Sequence, residues 1–285
     1  MCWAIGSNLF TAAARRMGAG ILNRHRLLVG AVLVASILWV THGSPWPLSA
    51  SRSQILILVA SGLIGFVFGD TWFIRALVIL GPGRAGLMAS LAPLMTAALG
   101  WVLLGERLGP LAWFGTLLIV GGVAWVMSDR RTREHARLHG HVAAGVIAGV
   151  LAALGQAVGY VLSKMALRTG IDPLSANTIR ITSAAAAIWM FTAARGEIRQ
   201  TVRALEDRGA AAFMLAGTVF GPVLGVSLSL LALQFIEAGV AGSITAVYPV
   251  LALAISSRFH REPLTARTLL GAVLAIAGVI VLFLR

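Results

Sequence analysis

Cysteine, lysine and acidic residues are scarce in this chain of 285 residues. Cys2 is the only cysteine, Lys164 is the only lysine, and aspartate and glutamate together number ten. A single cysteine excludes a disulfide within the chain and argues against a cysteine-ligated metal site. The 23 basic residues are therefore almost all arginine, and the formal net charge is +13.

Charged residues of both signs make up only 12% of the chain, whereas 58% of its residues are hydrophobic. Soluble domains carry about a quarter charged residues. A soluble protein of this length could not hide so much apolar surface, because much of the area of a folded protein still faces its solvent. We therefore predict an integral membrane protein, for which that solvent is largely lipid.

Nine apolar runs are long enough for membrane helices. A bilayer core needs roughly 20 apolar residues per helix, and continuous runs favour helices over the alternating pattern of a membrane barrel. The runs lie near residues 27–42, 54–80, 85–104, 110–128, 142–167, 174–194, 210–236, 239–257 and 266–284.

A further apolar stretch, from Cys2 to Ala14, is too short to cross a bilayer and is stopped by Arg15 and Arg16. We interpret it as the second part of a first helix whose beginning is missing. The predicted fold is therefore an all-α integral membrane protein, a ten-helix bundle with a truncated first helix.

The arginines form short clusters between the apolar runs, which is how membrane proteins mark their cytoplasmic loops. This pattern predicts a multi-pass protein of the cell (inner) membrane with both termini outside. The loops predicted to face the cytoplasm are 15–26, 130–137, 195–208 and 258–267. Nucleic acid is not an expected partner, since there is no soluble basic domain to bind it.

The chain also repeats itself. Shifted by 156 positions (221 − 65), residues 65–126 align on residues 221–282 without a gap. The first-half residues that recur are Gly65, Gly69, Ala76, Leu77, Gly83, Ala85, Gly86, Pro93, Glu106, Leu108, Gly115 and Gly122. Further upstream, Asn23-x-x-Arg26 recurs as Asn177-x-x-Arg180 at a shift of 154 (177 − 23). Hydrophobic composition alone would not align glycines, a proline and a glutamate.

The repeat divides the chain into a first repeat at residues 1–128 (helices one to five), a basic connecting loop at 129–141 and a second repeat at 142–285 (helices six to ten). Because each repeat holds five spans, an odd number, the second must be inverted relative to the first. Many secondary carriers are built from inverted repeats, with the substrate site between them near the midplane.

An ordered set of motifs carries a family resemblance. The motifs are Gly69-Asp70-Thr71 with Arg75-Ala76-Leu77, Ser90-Leu91-Ala92-Pro93, Leu104-Gly105-Glu106-Arg107-Leu108, Ala246-Val247-Tyr248-Pro249 and Arg261-Glu262-Pro263-Leu264. Together they resemble the EamA-type branch of the drug/metabolite transporter (DMT) superfamily over nearly the whole chain. The resemblance implies a lipid-embedded secondary transporter, often an exporter, of a small-molecule substrate such as a metabolite, amino acid or drug-like compound. It also implies a central cavity between the halves.

Asp70 is the sharpest candidate for the substrate-binding or coupling site, because ionisable groups inside a membrane span are costly. It follows Gly69 inside an apolar run, and Arg75 lies five residues further on, which is not the natural spacing for a salt bridge along a helix. Two interpretations stay open for Asp70. It either holds a substrate cation or a proton, or it belongs to a buried charge pair that orients helices.

The repeated pairs Asn23 with Arg26 and Asn177 with Arg180 are predicted to open helices two and seven. Asparagine is a favoured helix cap, and an arginine near a helix end can extend to the membrane interface. Binding of an anionic carboxylate is the alternative. Arg180 is the better candidate for that role, because it begins a span instead of following other arginines.

Pro93 and Pro249 occupy equivalent positions inside predicted helices. Proline removes a backbone hydrogen bond and kinks a helix, so the pair are candidate hinges for gating, with a fixed packing bend as the alternative. Ser61, Gly65 and Gly69 are spaced four residues apart and align with Gly217, Gly221 and Gly225 in the second half. Small residues at this spacing predict a helix face that packs closely against a neighbouring helix.

Pockets are mostly apolar with a few placed polar groups. The other groups expected to reach the cavity, besides Asp70, Arg75 and Arg180, are Tyr248, Gln156, Tyr160 and Trp72. His135, His139 and His141 are interpreted as part of a solvated linker, since no carboxylate or thiol cluster accompanies them.

Neither a metal nor another cofactor is expected. The chain has no G-x-x-x-x-G-K loop, which argues against direct ATP hydrolysis. None of its six histidines lies in the interior of a predicted span, and no two acidic residues share a predicted helix face, so an enzyme is disfavoured. The alternatives to a transporter are a non-transporting membrane scaffold or channel and, less favoured, a membrane-embedded enzyme.

Overall fold

The computed structural model describes residues 1–104, 109–127, 142–235, 248–260 and 265–283. Within these ranges every regular element is a helix. The predicted connecting loop, with its three histidines, lies outside the described residues.

The first half of the chain forms seven numbered helices and one π-helical turn within the described ranges. They are α1 (Cys2–Met17), α2 (Ala19–His42), α3 (Arg52–Gly62), the π turn (Leu63–Gly69), α4 (Asp70–Leu80), α5 (Pro82–Ala89), α6 (Leu91–Leu104) and α7 (Pro110–Met127).

The second half contains a second π turn. Its described elements are α8 (Val142–Leu167), α9 (Pro173–Ala194), α10 (Ile198–Arg203), a 3₁₀ turn (Ala204–Glu206), α11 (Arg208–Thr218), the π turn (Val219–Gly225), α12 (Val226–Phe235), α13 (Tyr248–Phe259) and α14 (Ala266–Phe283).

The long helices are apolar enough to cross a membrane. Among the described residues, four stretches meet this condition by length and composition: Ala19–His42, Arg52–Leu80, Val142–Leu167 and Arg208–Leu231. Shorter apolar helices cover Trp113–Val126 and Ala266–Val281. Large apolar side chains such as Val32 and Leu117 are exposed on them, as expected of a surface that contacts lipid. The prediction of an all-α integral membrane protein is confirmed.

The structure corrects the predicted starts of the second and seventh helices. α2 and α9 each begin four residues before their repeated asparagine, so Asn23 and Asn177 lie inside the helices and cap neither of them. The cap of α9 is Asp172, whose carboxylate accepts two backbone hydrogen bonds of 3.0 Å. The asparagine amides are thus free to contact other helices.

The buried start of α2 also contradicts the predicted loop before residue 27. His25 and Arg26 are only 4% and 3% exposed inside α2. Arg26 therefore does not extend to the membrane interface, and a histidine does lie inside a span. These polar side chains are tolerated there because other helices supply partners. The ring Nε2 of His25, for example, lies 2.8 Å from the carbonyl oxygen of Thr201.

The two π turns occupy equivalent places in the repeat. Leu63–Gly69 joins α3 to α4 and Val219–Gly225 joins α11 to α12, and their first residues are 156 positions apart (219 − 63). This is the offset that aligns the repeated sequence. Wide turns of this kind inside α-helices are frequent at functional sites.

The glycines of the π turns bring helix backbones together, as the predicted small-residue face requires. A Cβ atom added at Gly159 of α8 would lie 3.0 Å from the Cα of Gly65. In the second half, a Cβ added at Gly6 of α1 would lie 3.3 Å from the backbone nitrogen of Gly221. Ser61 completes the first contact by donating a 2.6 Å hydrogen bond to the carbonyl oxygen of Gly159.

The fourth predicted span is broken in its middle. α5 ends at Ala89, Ser90 forms a turn, and α6 begins at Leu91. Pro93 explains the break, because it has no amide hydrogen to donate to the carbonyl of residue 89. Pro249 is the second residue of α13, and the residues before Tyr248 lie outside the described ranges.

Candidate functional site

Asp70 lies at the centre of a buried polar network. It is the first residue of α4, directly after the first π turn, and is 6% exposed. One carboxylate oxygen, Oδ2, pairs with the guanidinium of Arg26. The other, Oδ1, accepts a 2.5 Å hydrogen bond from the side-chain amide of Gln156 on α8. Asp70 therefore joins α2 of the first half to α8 of the second.

Asn23 holds both Arg26 and the π turn in place. Its Oδ1 accepts a 2.8 Å hydrogen bond from Nε of Arg26. Its amide nitrogen donates to the carbonyl oxygen of Phe66 at 3.1 Å and to the hydroxyl of Thr71 at 2.7 Å. A π turn leaves backbone carbonyls without their usual helical donors, and a buried carbonyl needs a partner. The asparagine amide supplies one.

The same clamp recurs in the second half. Asn177 donates to the carbonyl oxygen of Pro222 at 3.2 Å and to the hydroxyl of Ser227 at 3.1 Å. These acceptors are the residues 156 positions after Phe66 and Thr71 (222 − 66 and 227 − 71). In each half an asparagine inside one helix thus fastens the π turn of the next long helix.

The arginine behind the second clamp has no comparable partner. Arg180 is 5% exposed, and its guanidinium carbon lies 4.5 Å from the centre of the Phe66 ring. Among the described residues, Nε of Arg180 and Oδ1 of Asn177 are both buried without a hydrogen-bond partner. Position 226, which is equivalent to Asp70, is a valine.

The charges of this site do not cancel. Arg26, Arg180 and Asp70 carry two positive charges and one negative charge, and all three are more than nine-tenths buried. A buried charge without a counter-charge is costly. Two guanidinium groups beside a single carboxylate also repel a metal cation. The chemistry of the site therefore favours an anion.

Comparison with known proteins agrees with this architecture. The sequence model of the EamA-like transporter family matches residues 1–128 and again residues 143–284. The chain belongs to the EamA-like transporter family.

A curated relative and a solved structure illustrate what this EamA-like transporter is similar to. The permease-like protein YdzE of Bacillus subtilis (strain 168) is 39% identical over 56 residues, which are 20% of this chain and 72% of that protein. A crystal structure at 19% identity superposes with a TM-score of 0.57 over 98% of this chain and 94% of its own. At that identity the superposition supports the shared fold alone. Family membership confirms the resemblance and makes the chain a multi-pass membrane transporter with a small-molecule substrate.

Four of the predicted site residues of this EamA-like transporter lie close together. Asp70 and Gln156 are hydrogen bonded, and Arg180 is within electrostatic reach of Asp70 and Tyr160. Gln156 and Tyr160 are four residues apart on α8 and therefore project from one face of that helix. Residues from α4, α8 and α9 thus meet at one point.

Trp72 and Arg75 lie elsewhere. The guanidinium of Arg75 is 4.9 Å from the centre of the Trp72 ring, and both residues line a surface groove of about 300 Å³ that does not include Asp70. Helix geometry explains the separation. Positions two and five residues after Asp70 are rotated from it by about 200° and 140° around the helix. The structure therefore pairs Asp70 with Arg26 and not with Arg75.

Tyr248 is the first described residue of α13, and its hydroxyl is buried without a hydrogen-bond partner among the described residues. No contact described here links Tyr248 to the Asp70 network. Its place in a substrate site stays a prediction.

Arg26 and Phe66 belong to this site, but the sequence pattern does not identify them as site residues. Arg26 is one of the repeated residues, yet the charges beside it favour a loop. Phe66 has the character of an ordinary apolar residue of a span. The sequence does contain one signal: the Asn-x-x-Arg motif recurs in the second half, but Asp70 is replaced there by Val226. The first half therefore has an acidic residue at a position where the second half has none.

Proposed function

We propose that this protein is a secondary transporter that exports a small metabolite, amino acid or drug-like solute across the cell (inner) membrane. Two inverted repeats, residues 1–128 and 142–285, move against each other in alternating access. The observation that carries the proposal is the asparagine clamp on a π turn, which recurs at equivalent positions of both halves around one buried charged centre.

The packing of α7 on α14 supports the inverted arrangement. A Cβ added at Gly122 would lie 2.6 Å from the carbonyl oxygen of Gly271, and one added at Gly278 would lie 2.6 Å from the carbonyl oxygen of Gly115. The repeat equates Gly115 with Gly271 and Gly122 with Gly278. Each contact therefore becomes the other when the halves are exchanged, as in a two-fold interface. Such a pair of equivalent helices runs antiparallel, which is what an inverted repeat requires.

Links between the halves support alternating access. The carboxylate of Asp70 contacts Arg26 from the first half and Gln156 from the second. At the surface, Arg16 donates to the carboxylate of Asp207 at 2.6 and 2.7 Å. At Asp70, the hydrogen bond from Gln156 is the contact that crosses between the halves, so the halves can separate there while the Asp70–Arg26 pair stays intact within the first half. The broken helix at Ser90 adds a place where a span can bend.

A transporter is preferred to an enzyme because the buried groups of the described part of the chain offer no catalytic constellation. The described residues contain no group of three or more histidine, cysteine, aspartate or glutamate side chains close enough to hold a metal ion. The buried His25 faces a backbone carbonyl and no nucleophile. A channel or scaffold is the second candidate, and kinetics separate it from a carrier.

The test is counterflow in proteoliposomes. Vesicles containing the purified protein are loaded with one unlabelled amino acid, metabolite or cationic drug at a time, and entry of the same labelled solute is followed. We expect at least one solute to show saturable entry that is accelerated by internal solute. Flux that neither saturates nor responds to internal solute would indicate a channel, and no flux for any solute would favour a scaffold.

Orientation is tested with two single cysteines in a Cys2→Ser background. The loop that follows α2 and the loop that follows α9 are equivalent in the repeat, so inversion puts them on opposite sides of the membrane. We expect Ser49→Cys, in the first of these loops, and Arg199→Cys, in the short helix α10 that follows the second, to react with an impermeant maleimide from opposite sides; both positions are exposed. Labelling of both from one side would contradict the inverted repeat.

A further inference from the structure

Arg180 is a buried cation with an open hydrogen-bonding position. It is 5% exposed, its Nε has no hydrogen-bond partner among the described residues, and the same is true of Oδ1 of its neighbour Asn177. A protein gains no stability from leaving such groups unpaired, because each loses its water on burial. The equivalent atoms of the first half, Nε of Arg26 and Oδ1 of Asn23, bond to each other. What the second half lacks is a salt-bridge partner for the guanidinium of Arg180, and this points to an anion supplied from outside the chain.

The first half shows which chemistry belongs beside this Asn–Arg pair. There, the equivalent arginine, Arg26, is paired with the side-chain carboxylate of Asp70. The second half keeps the asparagine, the arginine and the π turn, but has Val226 where the first half has Asp70. A carboxylate is missing from a setting that otherwise repeats.

We propose that Arg180 binds the carboxylate of the transported solute. The solute's carboxylate takes the position relative to Arg180 that Asp70 takes relative to Arg26. This assignment rests on the proposed transport function and gives its substrate class, a solute that carries one carboxylate. Guanidinium groups bind carboxylates through two parallel hydrogen bonds.

The charge of the site selects a single negative charge. Arg26, Arg180 and Asp70 together leave one positive charge, which a monoanionic carboxylate neutralises. A phosphate monoester, with a charge near −2, would leave an excess negative charge in a buried site. The same excess of positive charge disfavours cationic drugs.

The walls around Arg180 suit a solute with an apolar part. The Phe66 ring lies against one face of the guanidinium, and Tyr160 is half-buried close by. Gly65 leaves room for the guanidinium, since a Cβ added there would lie only 3.3 Å from an Nη atom of Arg180. Entry of a solute requires the opening that the transport cycle supplies, because the arginine is sealed in the conformation described.

The first test needs no ligand. In detergent, we expect Arg180→Met to melt at the same temperature as the wild type or a few degrees higher, because it removes an unpaired buried charge. The matched variant Arg26→Met should melt clearly lower, because it leaves Asp70 without its counter-charge. A fall for Arg180→Met as large as that for Arg26→Met would mean that Arg180 has a structural role, and would overturn the assignment.

The second test uses pairs of probes that differ only in the carboxylate. Thermal stabilisation is measured with benzoate against benzamide, phenylalanine against phenylalanine amide, and lactate against lactamide, with phenyl phosphate and ethidium as the dianionic and cationic probes. We expect at least one carboxylate to stabilise the wild type while its amide does not. The apparent affinity should fall at least about 10-fold in Arg180→Met. The control Arg168→Gln, which removes an exposed arginine, should bind as the wild type does.

Stabilisation by ethidium, phenyl phosphate or the amides alone, or by carboxylates equally in Arg180→Met, would overturn the assignment. So would the absence of stabilisation by every carboxylate. If a cationic or neutral solute then shows counterflow, the proposed transport function is supported and only the carboxylate site at Arg180 is contradicted. If no solute shows counterflow, both proposals are contradicted.

Discussion

The two halves of this transporter hold the same clamp and differ in the charge behind it. In the first half, Asn23 fastens a π turn and positions Arg26, which pairs with Asp70. In the second half, Asn177 fastens the equivalent turn. Its arginine, Arg180, forms no salt bridge among the described residues, because the acidic group within its electrostatic reach, Asp70, is paired with Arg26.

We interpret this difference as the separation of a structural role, that of Arg26, from the binding role proposed for Arg180. A charged pair that is complete within the chain stabilises one arrangement of helices. A cation without a counter-charge costs stability until a ligand arrives, and is retained where it serves binding. One substitution between the repeats, aspartate against valine, thus makes Arg26 a fixed part of the core and leaves Arg180 open.

The largest expected effect on stability comes from breaking the Asp70–Arg26 ion pair of the first half. We expect Asp70→Ala to lower the free energy of unfolding by about 3–5 kcal/mol, because Arg26 is then buried without its partner. Denaturant or thermal unfolding in detergent measures this loss. Glu206→Ala, which removes an exposed carboxylate, is the control and should leave stability nearly unchanged. If Asp70→Ala changed the free energy of unfolding as little as Glu206→Ala, the buried pair would contribute nothing to stability.

The interface between the halves offers the next largest effect. Gly122 faces the backbone of α14, whereas a Cβ added at Gly121 would meet nothing within 4 Å. We expect Gly122→Val to destabilise the protein by about 1–3 kcal/mol through overpacking, and Gly121→Val to cost little by comparison. Melting temperatures of the two variants, measured side by side, check this. A larger loss for Gly121→Val would contradict the antiparallel packing of α7 on α14.

A substitution can give the second half the carboxylate that the first half has. Val226→Asp supplies the missing carboxylate, which should pair with Arg180 and compete with a bound solute. We expect carboxylate affinity to fall about 10-fold or more while the fold is retained. Val226→Leu is the control and should keep carboxylate binding. Unchanged affinity in Val226→Asp would separate Arg180 from the solute site.

The smallest effect concerns a partly buried contact between the halves, near the surface. Glu197 accepts hydrogen bonds from Arg24 and, at 2.9 Å, from Arg195. The hydrogen bond from Arg24 is the main cause that lowers the pKa of Glu197 from 4.5. A carboxyl group with a lowered pKa stabilises the fold above its unfolded pKa. That contribution is lost as the pH falls through the folded pKa.

We therefore expect Glu197→Gln to melt slightly below the wild type at neutral pH. The difference should disappear as the pH is lowered from 4.5 through the folded pKa, and it should shrink in about 1 M salt because charge pairs near the surface are screened. Melting curves of both proteins across this range provide the measurement. A difference that persists unchanged in acid would have another origin than the charge.

Much of the helical framework is predictable from the apolar runs, because a membrane span needs a long apolar segment whatever its neighbours are. The start of α2 is the instructive exception. His25 and Arg26 look like part of a loop when hydropathy is averaged along the chain. They are helical because partners on other helices satisfy them, and hydropathy contains no information about those partners.

The candidate site was predictable only in part, for a related reason. Asp70 and Arg180 stand out as charges in apolar surroundings, and Gln156 and Tyr160 as polar groups on one helix face. The separation of Trp72 and Arg75 from Asp70 follows from helical rotation, once Asp70 is known to begin a helix. The pairing of Asp70 with Arg26 spans 44 residues, and no local spacing rule reaches across that distance.

The sequence by itself determined the membrane setting, the repeated motifs and the fact that one half has an aspartate where the other has a valine. Only the tertiary structure decided which arginine that aspartate neutralises and which one is left over. The physical reason is that residue patterns report the periodicity of one helix at a time. The cost of a buried charge depends on the atoms of whichever helices surround it.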